Sequence, residues 1–471
     1  MKSRLVSLLA FLSISLLLGG LLLVQDGAAQ TGPAWISFDN TAGESAPKLA
    51  LLSASSQSIN LQANLPGAQA ETVRAGGQIF TRLSGEGYGY PTEYGQPELP
   101  VFRQEVEIPF GAQASLELVS AQYRDVSLAE LGLHAIYPLQ PPQTKAQDAK
   151  TPPFTQDVAA YTQAGYAPAS PLSLGEPYTV RGHRILPVEV WPIAYDPVAG
   201  TLRLYSQVVF RLRLVDADMT LTSELARRYA SPEFDRSLNS RVLNYNQGLA
   251  LPEDGEVGYL IITADAYYDA IQPLAALRAS RGFTVSVTRL SDLPGSTAQD
   301  IKDYIQAAYD TWALPPSYLL LVGDTDTIPA WIGPRILTTT DLYYATMDGT
   351  DDWHPDLYRG RFPVRSAEQT TYMVDKYLSY ATLMGVEPWL KRLALPATCD
   401  MTFYPVAEAT QNYVIETYTL PGGWYGSFPA DPNPGADQLY CITYGAANQD
   451  LIDAFNQGRW AIIYSGHGEF T

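Results

Sequence analysis

The chain has 471 residues, enough for two or three domains each with its own core. Hydrophobic residues make up 46% of it and charged ones only 17%, with 31 tyrosines, which excludes a disordered chain. A formal charge of −19 excludes the basic footprint that a nucleic-acid partner requires, and suits solubility outside a cell and hard cations such as calcium.

Residues 1–29 read as a targeting segment. Lys2 and Arg4 precede an apolar stretch from Leu5 to Val24, and Gly27-Ala28-Ala29 supplies small residues for cleavage before Gln30. The expectation is an exported protein, secreted or at the cell surface, with no stable membrane insertion after cleavage. Residues 30–75, rich in Ser, Ala and Gln, read as a loosely ordered lead-in. From 76 to 219 the pattern is β, with polar and apolar residues alternating in Glu105–Pro109, Ser115–Val119 and Val208–Val215. Asp196-Pro-Val-Ala-Gly200 is a turn between two such runs. Residues 220–256 form a polar connector containing Arg227, Arg228, Arg236 and Arg241; it reads as a solvated linker or as an activation segment.

From Gly258 the pattern becomes βαβαβ. Tyr259–Thr263, Thr284–Val287 and Tyr318–Val322 are apolar strands. A helix between the first two is expected to start near Pro273 and to end at Gly282. The next places Ile301, Tyr304, Ile305, Ala308 and Tyr309 on one stripe. Ser366 and Gln369 stand at capping-box spacing before a helix over about 367–381. Such alternation implies a parallel sheet covered on both faces. A second unit, 386–471, opens with Leu393–Ala397 and continues through a helix near 406–417. It closes with a helix whose apolar face is Leu451, Ile452 and Phe455, a left-handed turn at Gly458, and an apolar run, Trp460–Tyr464, that reads as a strand buried on both faces. Ser465-Gly466-His467-Gly468 follows that strand, where open α/β sheets collect their chemistry. His467, between two residues without side chains, is a candidate general base.

The helix, glycine, hydrophobic strand and Gly-His-Gly of Leu451–Gly468 resemble the gingipain-type cysteine peptidases (family C25), which share a fold with caspases. Leu320–Pro329, Asp341-Leu-Tyr-Tyr and Asp356–Pro363 extend the resemblance over 258–471. Gly95–Pro100 and the 190–197 hairpin resemble the family's prodomain. The fold implied is multidomain: a β-rich prodomain, then a caspase-like α/β domain over 257–385 and 386–471, two subdomains side by side with the second incomplete.

The activity implied is that of a secreted cysteine endopeptidase zymogen acting on proteins or peptides, its prodomain contacting the catalytic domain. In that family the histidine serves a cysteine on the next strand, so the nucleophile is expected beyond Thr471 and the chain as it stands is expected to be inactive. The resemblance assigns His467 as base, the Gly468 N–H to the oxyanion and Asp400 to orienting the histidine, although Asp400 also reads as a surface-loop residue. It offers Glu408 for an acidic specificity pocket. It implies no cofactor for catalysis but allows a structural calcium, for which Asp348, Asp351 and Asp352 have loop spacing, as a solvated acidic loop also would. Cys399 and Cys441 are the only cysteines; in an exported chain they can pair, and their spacing leaves that open. His134, His183 and His354 are isolated and carry no metal-ligand spacing. A different class of function, a non-catalytic exported protein keeping the fold for binding, is the alternative.

Overall fold

The computed structural model describes residues 34–40, 43–142, 152–245, 256–333, 338–383, 385 and 387–467. The targeting segment lies outside them. Among the described residues no helix is long and apolar enough to cross a membrane.

The N-terminal unit is antiparallel β. Thr201–Val215 pairs with Gln113–Ser127 on one side, and with Ile193–Asp196 and Ser58–Asn64 on the other. Leu202 and Leu204 and, past a register shift at Tyr205–Gln207, Val208, Phe210, Leu212 and Leu214 are buried in alternation. A second sheet, centred on His183–Val190 and Val101–Glu107, lays Val106, Leu186, Val188 and Val190 against that face in one continuous core. The turn is held as its residues imply: the Asp196 carboxylate accepts the amides of Val198 and Ala199 at 3.0 and 2.9 Å, and Gly200 has φ 63°.

Residues 34–75 are not a loose lead-in. They supply the strands Ala34–Ser37, Lys48–Ala54, Ser58–Asn64 and Gly67–Ala75, all paired. The core positions Ile59, Leu61 and Ala63 alternate with Ser58, Asn60, Gln62 and Asn64, so a small, polar composition hides a period of two.

The connector also folds. Met219–Arg228 is capped by Asp218, whose carboxylate accepts the Leu221 amide at 2.9 Å, and Pro232–Arg241 starts on its proline. Phe234 and Leu238 are buried. The Arg228 guanidinium donates to the carbonyls of Asp310 and Trp312 at 2.9 and 2.7 Å, closing the C-terminal end of helix Ala298–Thr311. Residues 246–255 fall outside the description.

The first α/β unit is a four-stranded parallel sheet in the order Phe283–Arg289, Val257–Thr263, Pro316–Val322, Tyr358–Phe362. Helix Ala298–Thr311 covers one face through Ile301, Ile305, Ala308 and Tyr309; Tyr268–Ser280 and Ala367–Ala381 cover the other. Pro273 lies inside Tyr268–Ser280 rather than at its start. It cannot donate to the carbonyl four residues back, yet Ile271, Leu274 and Ala275 bury the helix there, and packing outweighs the lost bond. Ser366 accepts the Gln369 amide at 3.1 Å, while the Gln369 side chain accepts the amide of Arg365 rather than that of Ser366.

In the second unit Leu393–Thr398 is the central run. It bonds to Asp437 and Leu439 on one side and to Ile463 and Ser465 on the other, in parallel register Leu393↔Ala461. The expectation of a doubly buried strand at 460–464 fails: Trp460, Ile463 and Tyr464 are 49%, 48% and 54% exposed. That run is an edge among the described residues, and the apolar residues expected on two faces find a partner on one. Helix Asn448–Asn456 likewise buries Ala454 and half-buries Leu451, leaving Ile452 and Phe455 exposed. Gly458 has φ 84°, the left-handed turn its position implies.

The N-terminal β sheets and the first α/β unit meet around Arg181, which is 2% exposed. Its amide donates to Asp356 Oδ1 at 2.6 Å, and its guanidinium to Pro316 O at 2.8 Å, Tyr229 O at 3.0 Å and Ser317 Oγ at 3.3 Å. The guanidinium also lies over the rings of Phe234 and Tyr309. His354 stacks on Tyr178 at 3.6 Å across the same junction.

Candidate active site

Three chain segments end together at the carboxyl side of the second sheet. The Thr398 amide donates to Ser465 O at 2.9 Å, fixing the end of the central run beside the segment that carries His467. Asp400 follows two residues later, at the entry to helix Tyr404–Val414. Its Oδ1 accepts the amides of Thr402 and Phe403 at 2.7 and 3.2 Å, and its own carbonyl accepts the Tyr404 amide at 2.8 Å. The carboxylate closes a turn and faces a helix N-terminus together. The Thr402 and Phe403 amides, with His467 opposite, hold its carboxyl below the usual value, so it is ionised at neutral pH.

Oδ2, the other oxygen, lies 3.4 Å from His467 Nε2, and both side chains remain partly open to solvent. That distance exceeds a good N–H···O bond, and Nε2 has no hydrogen-bond partner, so the contact is Coulombic. The Phe403 ring meets the imidazole edge-on at 5.1 Å. Gly466 is needed for crowding within the chain itself: a Cβ there would come within 2.2 Å of the Tyr464 hydroxyl and 2.8 Å of Thr398 Cβ. Gly468 lies outside the described residues.

Cys399 and Cys441 form a disulfide, so both cysteines are already bonded. With its ends 42 positions apart in the chain, such a link stabilises by about 4 kcal/mol on the chain-entropy account. Glu408 is buried and accepts from both the hydroxyl and the amide of Thr443, in the short helix Cys441–Tyr444 that begins with the disulfide. It braces that helix rather than lining an open pocket. Gln411 went unnoticed in the sequence: its Nε2 donates to Pro396 O at 3.2 Å and Ile463 O at 2.7 Å, tying helix Tyr404–Val414 to both strands. An amide at an i+3 position from Glu408 gave no signal of this.

The motif segments of the first unit converge through Arg361, which grips Asp341 with two nitrogens at 2.9 and 2.7 Å and donates to Gly323 O and Ile328 O. Asp324 pairs with Arg365. The acidic loop differs from its reading. Asp348 and Asp352 come together with Asp356, carboxylate oxygens within 4.8 Å of one another, and Asp351 is not in the group. Asp356 is fully buried and accepts the amides of Arg181 and Met347, leaving part of its lone pairs for anything else. Burial, then Asp348, pushes the Asp356 carboxyl well above its usual range; burial, then Asp352, pushes Asp348 up. The donors are all carboxylate oxygens, of the type a hard cation takes.

Residues 253–471 match the model of peptidase family C25 and residues 39–245 that of the C25 propeptide. The chain is 29% identical to Lys-gingipain of Porphyromonas gingivalis over 389 residues, 80% of this chain and 22% of that protein. It is 26% identical to gingipain R2 of the same species over 481 residues, covering all of this chain and 60% of the relative. A solved complex of Porphyromonas gingivalis RgpB pro- and mature domains overlays 42% of this chain and 97% of its own, with 20% identity and a TM-score of 0.35. The chain thus spans less than two thirds of the curated relatives it matches. With a propeptide match over its β-rich sheets and a peptidase match over its two α/β units, this chain belongs to peptidase family C25, as a prodomain joined to a gingipain-type peptidase domain.

Proposed function

We propose that this chain is part of an exported cysteine endopeptidase zymogen in which His467 and Asp400 serve a thiol supplied from outside residues 1–471. The observation that carries the reading is the Asp400–His467 pair, 3.4 Å apart where the parallel strands of the second unit end. Both cysteines of the chain are bonded to each other, which supports a nucleophile from elsewhere. Asp400 faces Nε2, so a proton there is favoured and the lone pair sits on Nδ1. Nδ1 takes the proton of the thiol, whose sulfur attacks the peptide carbonyl. The developing oxyanion is assigned to the Gly468 N–H by the family resemblance alone. Nδ1 then returns the proton to the leaving amine, and water hydrolyses the thioester.

Export rests on the apolar stretch and cleavage residues of 1–29. Prodomain release is assigned to the 220–256 segment, but not at Arg228, which is engaged with helix Ala298–Thr311. A structural calcium would be held by Asp348, Asp352 and Asp356; a calcium-dependent rise in melting temperature that is lost in Asp352→Asn is its check, and no rise sets it aside.

The test uses the whole natural product of the reading frame, assayed both with and without thiol against fluorogenic peptides cut after Arg or Lys. The expected result is turnover that His467→Ala abolishes, with folding intact by circular dichroism. Undiminished turnover in that variant removes His467 from the chemistry. Absence of turnover in the correctly processed protein would favour the non-catalytic alternative.

A further inference from the structure

The disulfide ties the residue before Asp400 to the segment after Tyr440. Cys399 is the residue before Asp400, and Cys441 opens helix Cys441–Tyr444 immediately after Tyr440, which is buried. The Ala397 amide bonds to Leu439 O and the Thr398 amide to Ser465 O, so the strand ends carrying Cys441, Asp400 and His467 lie side by side. The two members of the pair are anchored differently. His467 follows Gly466, which is packed against Thr398 and Tyr464. Asp400 stands in a turn whose other bonds are local: the Thr402 and Phe403 amides to its carboxylate, and its own amide to Thr398 Oγ1 at 3.2 Å. Those bonds fix the shape of the turn; its position is set by Thr398 on Ser465 before it, by helix Tyr404–Val414 after it, and by the cross-link at Cys399 between them. A 3.4 Å Coulombic contact in a partly solvated site is too weak to do so. Glu408, buried on helix Tyr404–Val414, holds the far end of the link through Thr443, so the brace runs from that side chain through the disulfide to the turn.

We propose that the Cys399–Cys441 cross-link is a positioning device for the Asp400–His467 pair, and that thiol reductants loosen the pair by opening it. The pair's place in the chemistry rests on the function proposed above; its geometric dependence on the cross-link does not. In the step invoked, a thiolate of a dithiol reductant attacks one sulfur of the cross-link and displaces the other as thiolate. The reductant's second thiol then resolves the mixed disulfide, leaving two cysteine thiols and a cyclic oxidised reductant.

The test reads the histidine ring directly and needs no peptidase activity. The chain holds four histidines. The His467 ring signals in a nitrogen-15 NMR spectrum are assigned by their loss in His467→Ala, and Asp400→Asn defines where they move when the pair is uncoupled. Dithiothreitol treatment, and separately Cys399→Ser with Cys441→Ser, should move the His467 signals at least about half-way to the Asp400→Asn positions. The other three histidines should stay in place, and reoxidation should reverse the effect of the reductant. A staple that only stabilises would lower the melting temperature and leave the His467 signals where they were, and that result overturns the proposal. So does an Asp400→Asn spectrum in which His467 does not move. Should the double serine variant fail to fold, the reduced wild-type chain carries the test. Collapse of all four histidines to unfolded positions on reduction makes the link a general staple and also overturns it.

Discussion

In the first α/β unit four parallel strands are covered by helices on both faces, and Leu260, Ile261, Ile262, Leu321 and Val322 are wholly buried. In the second, a short parallel pairing carries the candidate catalytic residues, with Trp460, Ile463, Tyr464 and Phe455 left in solvent. Among the described residues the same βα pattern therefore yields a sheet covered on both faces in one case and a site beside an open strand edge in the other. What the second unit lacks in apolar burial it makes up with specific links: the disulfide, Gln411 bridging two strands, and the Arg459–Asp437 ion pair with both side chains sealed from water. A unit held by few specific links has more to lose from any one of them, and the variants below measure that difference.

Arg459→Ala carries the largest expected effect. It strands the Asp437 carboxylate in the interior, which costs about 3–5 kcal/mol. Hydrogen exchange followed by mass spectrometry should show protection falling in 393–465 and unchanged in 257–322. Equal loss in both units would mean that they unfold as one and that the second unit is no more dependent on single links than the first.

Arg181→Ala tests the first unit as a docking platform. It removes the buried guanidinium from Pro316 O, Ser317 and Tyr229 O while leaving the backbone amide on Asp356. Loss of such a buried contact is expected to cost about 2–5 kcal/mol. Exchange should rise at 172–190 and 345–357 together, with the second unit unaffected. No change at 345–357 would show that the junction is held elsewhere, for instance by Tyr178 and His354.

Acidity separates the units with opposite signs. Asp348 and Asp356 hold protons more tightly folded than unfolded, so that part of the first unit is favoured at low pH and loses stability as pH rises out of the ordinary carboxylate range. Asp400 is depressed, so its contribution is fully present above the ordinary carboxylate value and is lost only as pH falls below it. Lys302, pushed down to about 8 by burial, adds a dependence only above that pH. Between about pH 5.5 and about pH 8 the exchange protection of 345–357, corrected for intrinsic rates, should fall while that of 398–404 stays level. Asp356→Asn should flatten the first trend. A fall of equal size at 398–404 would put the pH response outside these carboxylates.

The parts that could be read in the sequence are those whose neighbours along the chain decide their structure. The stripe from Ile301 to Tyr309, the Asp196–Gly200 turn and the Gly458 stop all have local causes, and each is found in place. His467 and Asp400 were nameable from their motif and their position after strands, and the fold does bring them together. What escaped was set by distant partners. Nothing near Arg181 or Arg228 signals that their guanidinium groups cap another domain, and nothing near Asp356 signals that it, rather than Asp351, completes the acidic group. At 460–464 a continuous apolar run says that a strand wants cover but not which part of the chain brings it, and among the described residues cover is found on one side.

Glu408 offers the smallest effect and separates two meanings of a buried acid. As a brace it needs only an oxygen that accepts from Thr443, which a glutamine supplies in nearly the same shape. Glu408→Gln should therefore cost less than about 1 kcal/mol in the second unit, since a hydrogen bond to a charged acceptor is exchanged for one to a neutral acceptor. As a specificity acid it would need its charge, because a neutral amide no longer attracts a substrate cation. In the whole natural product the ratio of kcat/KM for Arg- over Lys-containing peptides is expected to stay within about twofold of wild type, a shift of about 0.4 kcal/mol. Glu408→Ala, which leaves the Thr443 hydroxyl and amide without their acceptor, should lower protection in 398–404 and 437–444 more than Glu408→Gln does. A change in the substrate ratio in Glu408→Gln without a matching loss of protection would return Glu408 to the specificity pocket and leave the short helix to be held by the disulfide alone.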